Sequence, residues 1–117
     1  MLCMNETNLK DINAERKIAT LRPIKANGKG YFLLDSIQQI KKGMFDNFYY
    51  FKVQIIAVDF VDIEELSIEE FQQLGYKNKA EYMAEPFNQK NNSTKRVKYT
   101  FKVIERNTDK IMQLYKK

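Results

Sequence analysis

Two stretches of the chain alternate apolar and polar residues at the period of a β-strand. In residues 48–63 (FYYFKVQIIAVDFVDI), Phe51, Val53 and Ile55 alternate with Lys52 and Gln54, as a strand with one buried face does. From Ile55 to Val58 both parities are apolar, which predicts cover on both sides, as in a small barrel with a helix packed outside it. In residues 97–104, Val97, Tyr99, Phe101 and Val103 point one way and Lys98, Thr100 and Lys102 the other. A shorter strand is predicted over residues 17–23, because Pro23 denies a helix and biases Arg22 towards extended geometry. There Ala19 and Leu21 share one face, and Ile18, Thr20 and Arg22 share the other. Asn27-Gly28-Lys29-Gly30 is a turn signal, residues 31–34 read as a further strand, and residues 35–42 are an ambiguous polar stretch ending at Gly43.

Helical signals lie between and beyond the strands. Ser67 and Glu70 have the spacing of a capping box, and the helix they open runs through Phe71 and Leu74 to a stop at Gly75, where a left-handed cap is natural. Asn78 with Glu81 opens a second short helix that Pro86 ends, and residues 88–96 read as a polar loop returning to the sheet. Asn107 or Thr108 caps a last helix over residues 109–117, with Ile111, Met112 and Leu114 to bury and Lys116-Lys117 at the negative end of its dipole. Residues 8–14 suit one weak helical turn, and the first seven residues, Cys3 among them, read as frayed.

The 117 residues allow one domain with one core. The expected division is a single domain, with its core at about residues 15–105 and a C-terminal helix at 108–117. With no His and one Cys, the chain cannot build a His-based triad, a Cys₄ or Cys₂His₂ zinc site or an intrachain disulfide; no metal or other cofactor is expected. No apolar run approaches the ~20 residues that cross a bilayer, and the polar start MLCMNETNLKD does not read as a secretory leader. A cytoplasmic protein without a membrane partner is expected.

Charge is unevenly spread. The net charge is +5, yet Asp59, Asp62, Glu64, Glu65, Glu69 and Glu70 fall in residues 53–76 with no base among them, and both flanking stretches are basic. If the two basic ends meet in the fold, one surface attracts phosphate backbones. The acidic run mixes a strand end with a helix start, which favours a solvated role over metal binding. Tyr31, Tyr49, Tyr50, Tyr99, Phe48 and Phe51 could stack on bases, although aromatics at strand spacing are more often core.

The order of these elements resembles the ASCH domain, a small β-barrel of the PUA-like superfamily. The stretches that carry the resemblance are KIATLRP (residues 17–23), VDIEELSIEEFQQLGYKNKAEYM (61–83) and KYTFKVIE (98–105). Residues 31–47 and those after Glu105 fall outside it. The resemblance implies an α+β fold, a small PUA-like β-barrel with short flanking helices, holding RNA or a nucleotide in a cleft beside the first helix. One branch of the family resembles an amidohydrolase of acetylated cytidine that uses a Lys, a Thr three residues on and a helical Glu. Lys17 and Thr20 match the first two positions, and the acid position is Leu74, whose side chain can neither take a proton nor hold a lysine. Glu70, one turn earlier, is the weak substitute.

Three functions remain open on the sequence. The first is a non-catalytic RNA- or nucleotide-binding domain with a basic rim of Lys17, Thr20, Arg22, Lys25, Lys95, Arg96 and Lys98, whose binding falls steeply with salt. The second is a small amidohydrolase on modified nucleosides, with Thr20 as nucleophile and a desolvated Lys17 as base. The third is a phage- or mobile-element-encoded module that binds a host protein. Oligomeric state is left open.

Overall fold

The computed structural model describes residues 1–25, 27–28, 30, 32–89 and 93–116. Among them the chain forms β1 (Leu2–Cys3), α1 (Glu6–Asn13), β2 (Ala19–Arg22), β3 (Ile37–Lys41), β4 (Phe51–Asp62), α2 (Ile68–Gln73), α3 (Lys79–Ala84), α4 (Pro86–Gln89), β5 (Lys95–Arg106) and α5 (Thr108–Gln113). The strands make one mixed sheet in the order β1-β3-β4-β5-β2. Its spine is the antiparallel ladder of β4 and β5, each 12 residues long. The early strand β2 lies antiparallel against the late strand β5, with Thr20 opposite Tyr99 and Arg22 opposite Val97. The sheet curls, and its two edges, β1 and β2, contribute to one cavity.

The apolar stretch in β4 is not covered on both sides. Ile55 pairs with Phe101 and Ala57 with Thr100, so Ile56 is an extra residue in the ladder. This bulge switches the parity of the strand: Phe51, Val53 and Ile55 are buried before it, Val58 packs on the core after it, and Ile56 is left exposed. A second bulge puts Ile104 of β5 between the partners of Lys52 and Val53, and Ile104 too faces outward. The extra residue, rather than a covering helix, therefore accounts for the run of apolar side chains.

Two buried clusters result. The larger joins Phe51, Val53, Ile55, Val97, Tyr99 and Phe101 of the central ladder to Leu9 and Ile12 of α1 and to Ile111 and Leu114 of α5. Met112, expected inside, is exposed because Ile111 and Leu114 already define the buried stripe of α5. The smaller cluster packs Ala19 of β2 against Ile63, Phe71, Leu74 and Tyr82, which fastens α2 and α3 to the sheet end. Of the aromatics, Tyr50, Phe51 and Tyr99 are core, Phe48 is exposed, the Tyr49 hydroxyl donates to Glu105, and Tyr31 lies outside the described residues.

The capping expectations hold at the residues named for them. Ser67 accepts from the Glu70 amide while the Glu70 carboxylate accepts from the Ser67 amide. Asn78 caps α3, Asn107 caps α5, and Gly75 ends α2 at φ +94°. Pro86 closes α3 and opens α4 at its first position, so part of the expected loop is helical.

The ends of the sheet differ from the sequence reading. Residues 32–34 are turn rather than strand, and the strand is β3 within the ambiguous stretch, paired with β4 from Ile37–Gln54 to Ile40–Phe51. The N-terminal residues are not frayed: Leu2 and Cys3 pair parallel with Ile40 and Lys41, and Leu2 and Met4 are buried. A two-residue strand carries no visible period, and its partner lies almost forty residues away, so no local signal announces it. Asn5 caps α1 by accepting from the Asn8 amide and starts that helix two residues before the expected point. Leu2→Ala is expected to destabilise the fold by about 3 kcal/mol, as for other buried leucines, read from the urea unfolding midpoint. A frayed terminus would leave that midpoint unchanged.

Candidate functional site

The start of β2 is stitched to the end of α2. Lys17 pairs with Leu74 as an isolated antiparallel bridge, the Ile18 amide donates to the Gln73 carbonyl at 2.8 Å, and the Lys17 amide donates to the Asp11 carbonyl at 3.2 Å. Gly75 allows this approach: a Cβ there would stand 3.2 Å from Asp11 Oδ2 and 3.6 Å from Lys17 Cβ, on a backbone that disfavours side chains in any case. Held at its backbone, Lys17 turns its side chain into a cavity of about 220 Å³.

That cavity lies at the seam between the sheet edges. Cys3 and Met4 stand on one side, Thr20, Leu21 and Arg22 on the other, and Asn5 and Asn8 of α1 and Tyr76, Tyr82, Glu85 and Asn88 from the α2–α4 region complete it. Arg22 Nη2 donates across the seam to the Cys3 carbonyl at 3.3 Å. Cys3 is therefore an ordered, half-buried wall residue rather than part of a loose end.

Lys17, Thr20 and Arg22 thus converge. Lys17 is 4% exposed, donates from Nζ to the Leu74 carbonyl at 2.7 Å, and has Nζ 5.9 Å from the centre of the Tyr76 ring. Burial, and secondarily the Arg22 charge, push its pKa from 10.5 down to about 7, against the pull of Asp11 and Glu85. Burial also lowers the pKa of Arg22 from its ordinary value. The Arg22 Nε is buried with no hydrogen-bond partner, a condition that disfavours an empty site. Thr20 is buried in the same wall.

Leu74 holds the lysine after all. Its side chain is buried in the smaller cluster, but its main-chain carbonyl, left without an intrahelical partner at a helix end, receives the ammonium. The carboxylate in the cavity is Glu85, whose Oε2 accepts from the Tyr76 hydroxyl at 2.9 Å. Burial, then this bond, raises the Tyr76 pKa well above the usual phenol range. The sequence reading does not single out Glu85; its one local signal is Pro86, since a residue before proline is driven extended, and Glu85 leaves α3 at φ −74°, ψ 125°.

The remaining cations expected at the rim lie elsewhere. Lys25 is exposed in the loop after β2. Lys95 pairs with Asp62 at 3.0 Å on a separate hollow lined also by Phe60, Glu65 and Glu70. There the Glu64 amide and Lys95 lower the Asp62 pKa to about 2. The Arg96 guanidinium is buried on the carbonyls of Ser93 and Lys95, and Lys98 donates to Gln73 and pairs with Glu70. Glu70, committed to its cap and to Lys98, is not part of the Lys17 cavity. Partners on β4 and α2 thus engage Lys95 and Lys98, nearby carbonyls engage Arg96, and the cavity is cationic through Lys17 and Arg22. Among the described residues there is no cluster of three or more metal-ligating side chains, and no helix is long and apolar enough to cross a membrane.

A curled five-stranded mixed sheet with short helices and β2 against β5 is an ASCH-like fold. The crystal structure of ASCH from Zymomonas mobilis matches at TM-score 0.58 with 12% identity, over 86% of this chain and 64% of that one. That of an Enterococcus faecalis V583 protein assigned to the DUF984 family matches at TM-score 0.69 with 16% identity, over 87% and 69%. The chain thus spans about two thirds of each. No family model and no curated protein matches the sequence.

The Lys17 pKa has a consequence for stability. In the unfolded chain Lys17 keeps its proton to about pH 10.5, and in the folded chain only to about 7. Between those values the unfolded state binds more protons, so this residue makes stability rise with pH across the window. In urea unfolding measured from pH 7 to 10, Lys17→Met is expected to lose that rise relative to the native chain. Parallel profiles would mean that Lys17 titrates normally.

Proposed function

We propose that this protein is a non-catalytic nucleotide-binding ASCH-like domain that takes a single nucleotide, free or from a single-stranded RNA, into the β1–β2 seam. The observation that carries the reading is the convergence of a buried lysine and a half-buried arginine, the latter with a buried, unpartnered N–H, beside a tyrosine face in one cavity. Cations recessed in this way are screened little by salt, so the expected salt dependence is shallow. An extended phosphate track would need the free bases that Lys95, Arg96 and Lys98 do not supply.

Isothermal titration with a panel of ribonucleoside monophosphates and short single-stranded RNAs tests this. Arg22→Met is expected to weaken binding by about tenfold or more, the effect of removing a buried charged donor. Lys95→Ala, which removes half of an exposed ion pair, is expected to change it by less than about twofold. Absence of binding, or equal sensitivity to the two variants, would overturn the reading.

A second reading is favoured by one pair of facts: a buried threonine stands in the same cavity as a lysine with a pKa of about 7. A lysine neutral near that pH is a competent base for a hydroxyl nucleophile. In this reading Lys17 removes the Thr20 proton as the hydroxyl attacks an amide carbonyl of an acylated nucleoside. Lys17 returns the proton to the nucleoside amine as the C–N bond breaks, and water then hydrolyses the Thr20 ester to free the acid. Turnover over a panel of such nucleosides, lost in Thr20→Ala and Lys17→Met, is the expected result; no release of acid from any of them would exclude it.

A further inference from the structure

The polar groups of the seam cavity are segregated. On the β2 wall stand two donors, Lys17 Nζ and the unpartnered Arg22 Nε. On the opposite wall stands Glu85, which when ionised only accepts. Its Oε2 is occupied by the Tyr76 hydroxyl, while Oε1 has no partner among the described residues. The sequence pattern does not call for a carboxylate at this position, and the cation expected to need an acid, Lys17, is already held by the Leu74 carbonyl. Glu85 therefore has a free acceptor facing the same space as two donors.

A phosphate suits the β2 wall alone, because its oxygens meet a like charge at Glu85. A neutral planar edge with a C=O beside an N–H satisfies both walls at once: the carbonyl takes the Arg22 or Lys17 donor, and the N–H reaches Glu85. The half-buried Tyr76, locked by its bond to Glu85, offers a flat apolar face beside that edge. We propose that Glu85 is the specificity-determining residue of the cavity, selecting the N–H-bearing edge of a nucleobase and turning away the phosphate. This rests on the nucleotide-binding reading and adds which end of the nucleotide enters and which residue chooses it.

The test is titration of the full chain with uridine, guanosine and cytidine, with 3-methyluridine and 1-methylguanosine, and with inorganic phosphate. The native protein is expected to bind at least one unmodified nucleoside, to bind a form methylated at the ring N–H about tenfold or more weakly where that N–H is the one read, and to bind phosphate more weakly than the nucleoside. Glu85→Gln removes the charge and keeps an acceptor, so phosphate affinity should rise several-fold. Glu85→Met removes the acceptor, so discrimination against the methylated or aminated competitor should shrink to less than about threefold. Lys95→Ala serves as the control for surface charge. If nucleotides bind but both Glu85 variants leave the nucleoside preference and phosphate affinity unchanged, nucleotide binding stands and this inference is overturned. If no nucleoside or nucleotide binds the native protein, both fall.

Discussion

A lysine taken out of water must be held by something, and in this fold the holder is a carbonyl at the end of a helix. The contact between Lys17 and Leu74 needs three things at once: β2 laid along β5, α2 stopped at a fixed point, and a residue at position 75 that leaves room. Each has a visible cause. The β2–β5 pairing follows from the alternation of both strands, the stop follows from Gly75 at positive φ, and the room follows from the missing Cβ. Without the carbonyl, an ammonium 4% exposed would have only a ring face and distant carboxylates for company. The site is thus a product of how a helix is terminated.

The second constraint is that the sheet has two edges facing one space. Edge strands leave unpaired main-chain groups, and here one of them, the Cys3 carbonyl, is taken by Arg22 from the other edge. One guanidinium N–H closes the seam while another, Nε, is left buried and unmatched. Arg22 is therefore only partly used by the fold: the group that spans the gap keeps one donor unmatched.

Much of this was readable in the residues. The strands around Phe51–Ile55 and Val97–Val103, the Ser67–Glu70 box and the Asn78 cap came from local period or spacing. Lys17, Thr20 and Arg22 were instead grouped through the ASCH resemblance, since strand period alone puts Lys17 on the other face. What was not readable depended on distant partners or on counting errors in the ladder. Strand β1 has only two residues and exists because Ile40 and Lys41 lie beside it. By period alone Ile56 extends a doubly buried run, and only the bulge makes it supernumerary. Lys95 and Lys98 resemble rim cations in a list of charges, but Asp62 and Glu70 lie within reach of them in space. Leu74 was judged by its side chain when its carbonyl was the functional group.

Cys3 is the one cysteine of the 117 residues, and it stands half-buried in the wall of the seam. A thiol reagent can therefore modify cysteine at this place and nowhere else in the chain. Its rate of alkylation reports how open the seam is, and a molecule lodged there shields the sulfur. The fold carries its own chemical reporter for occupancy, placed where the first and second strands come closest, with no engineered label required.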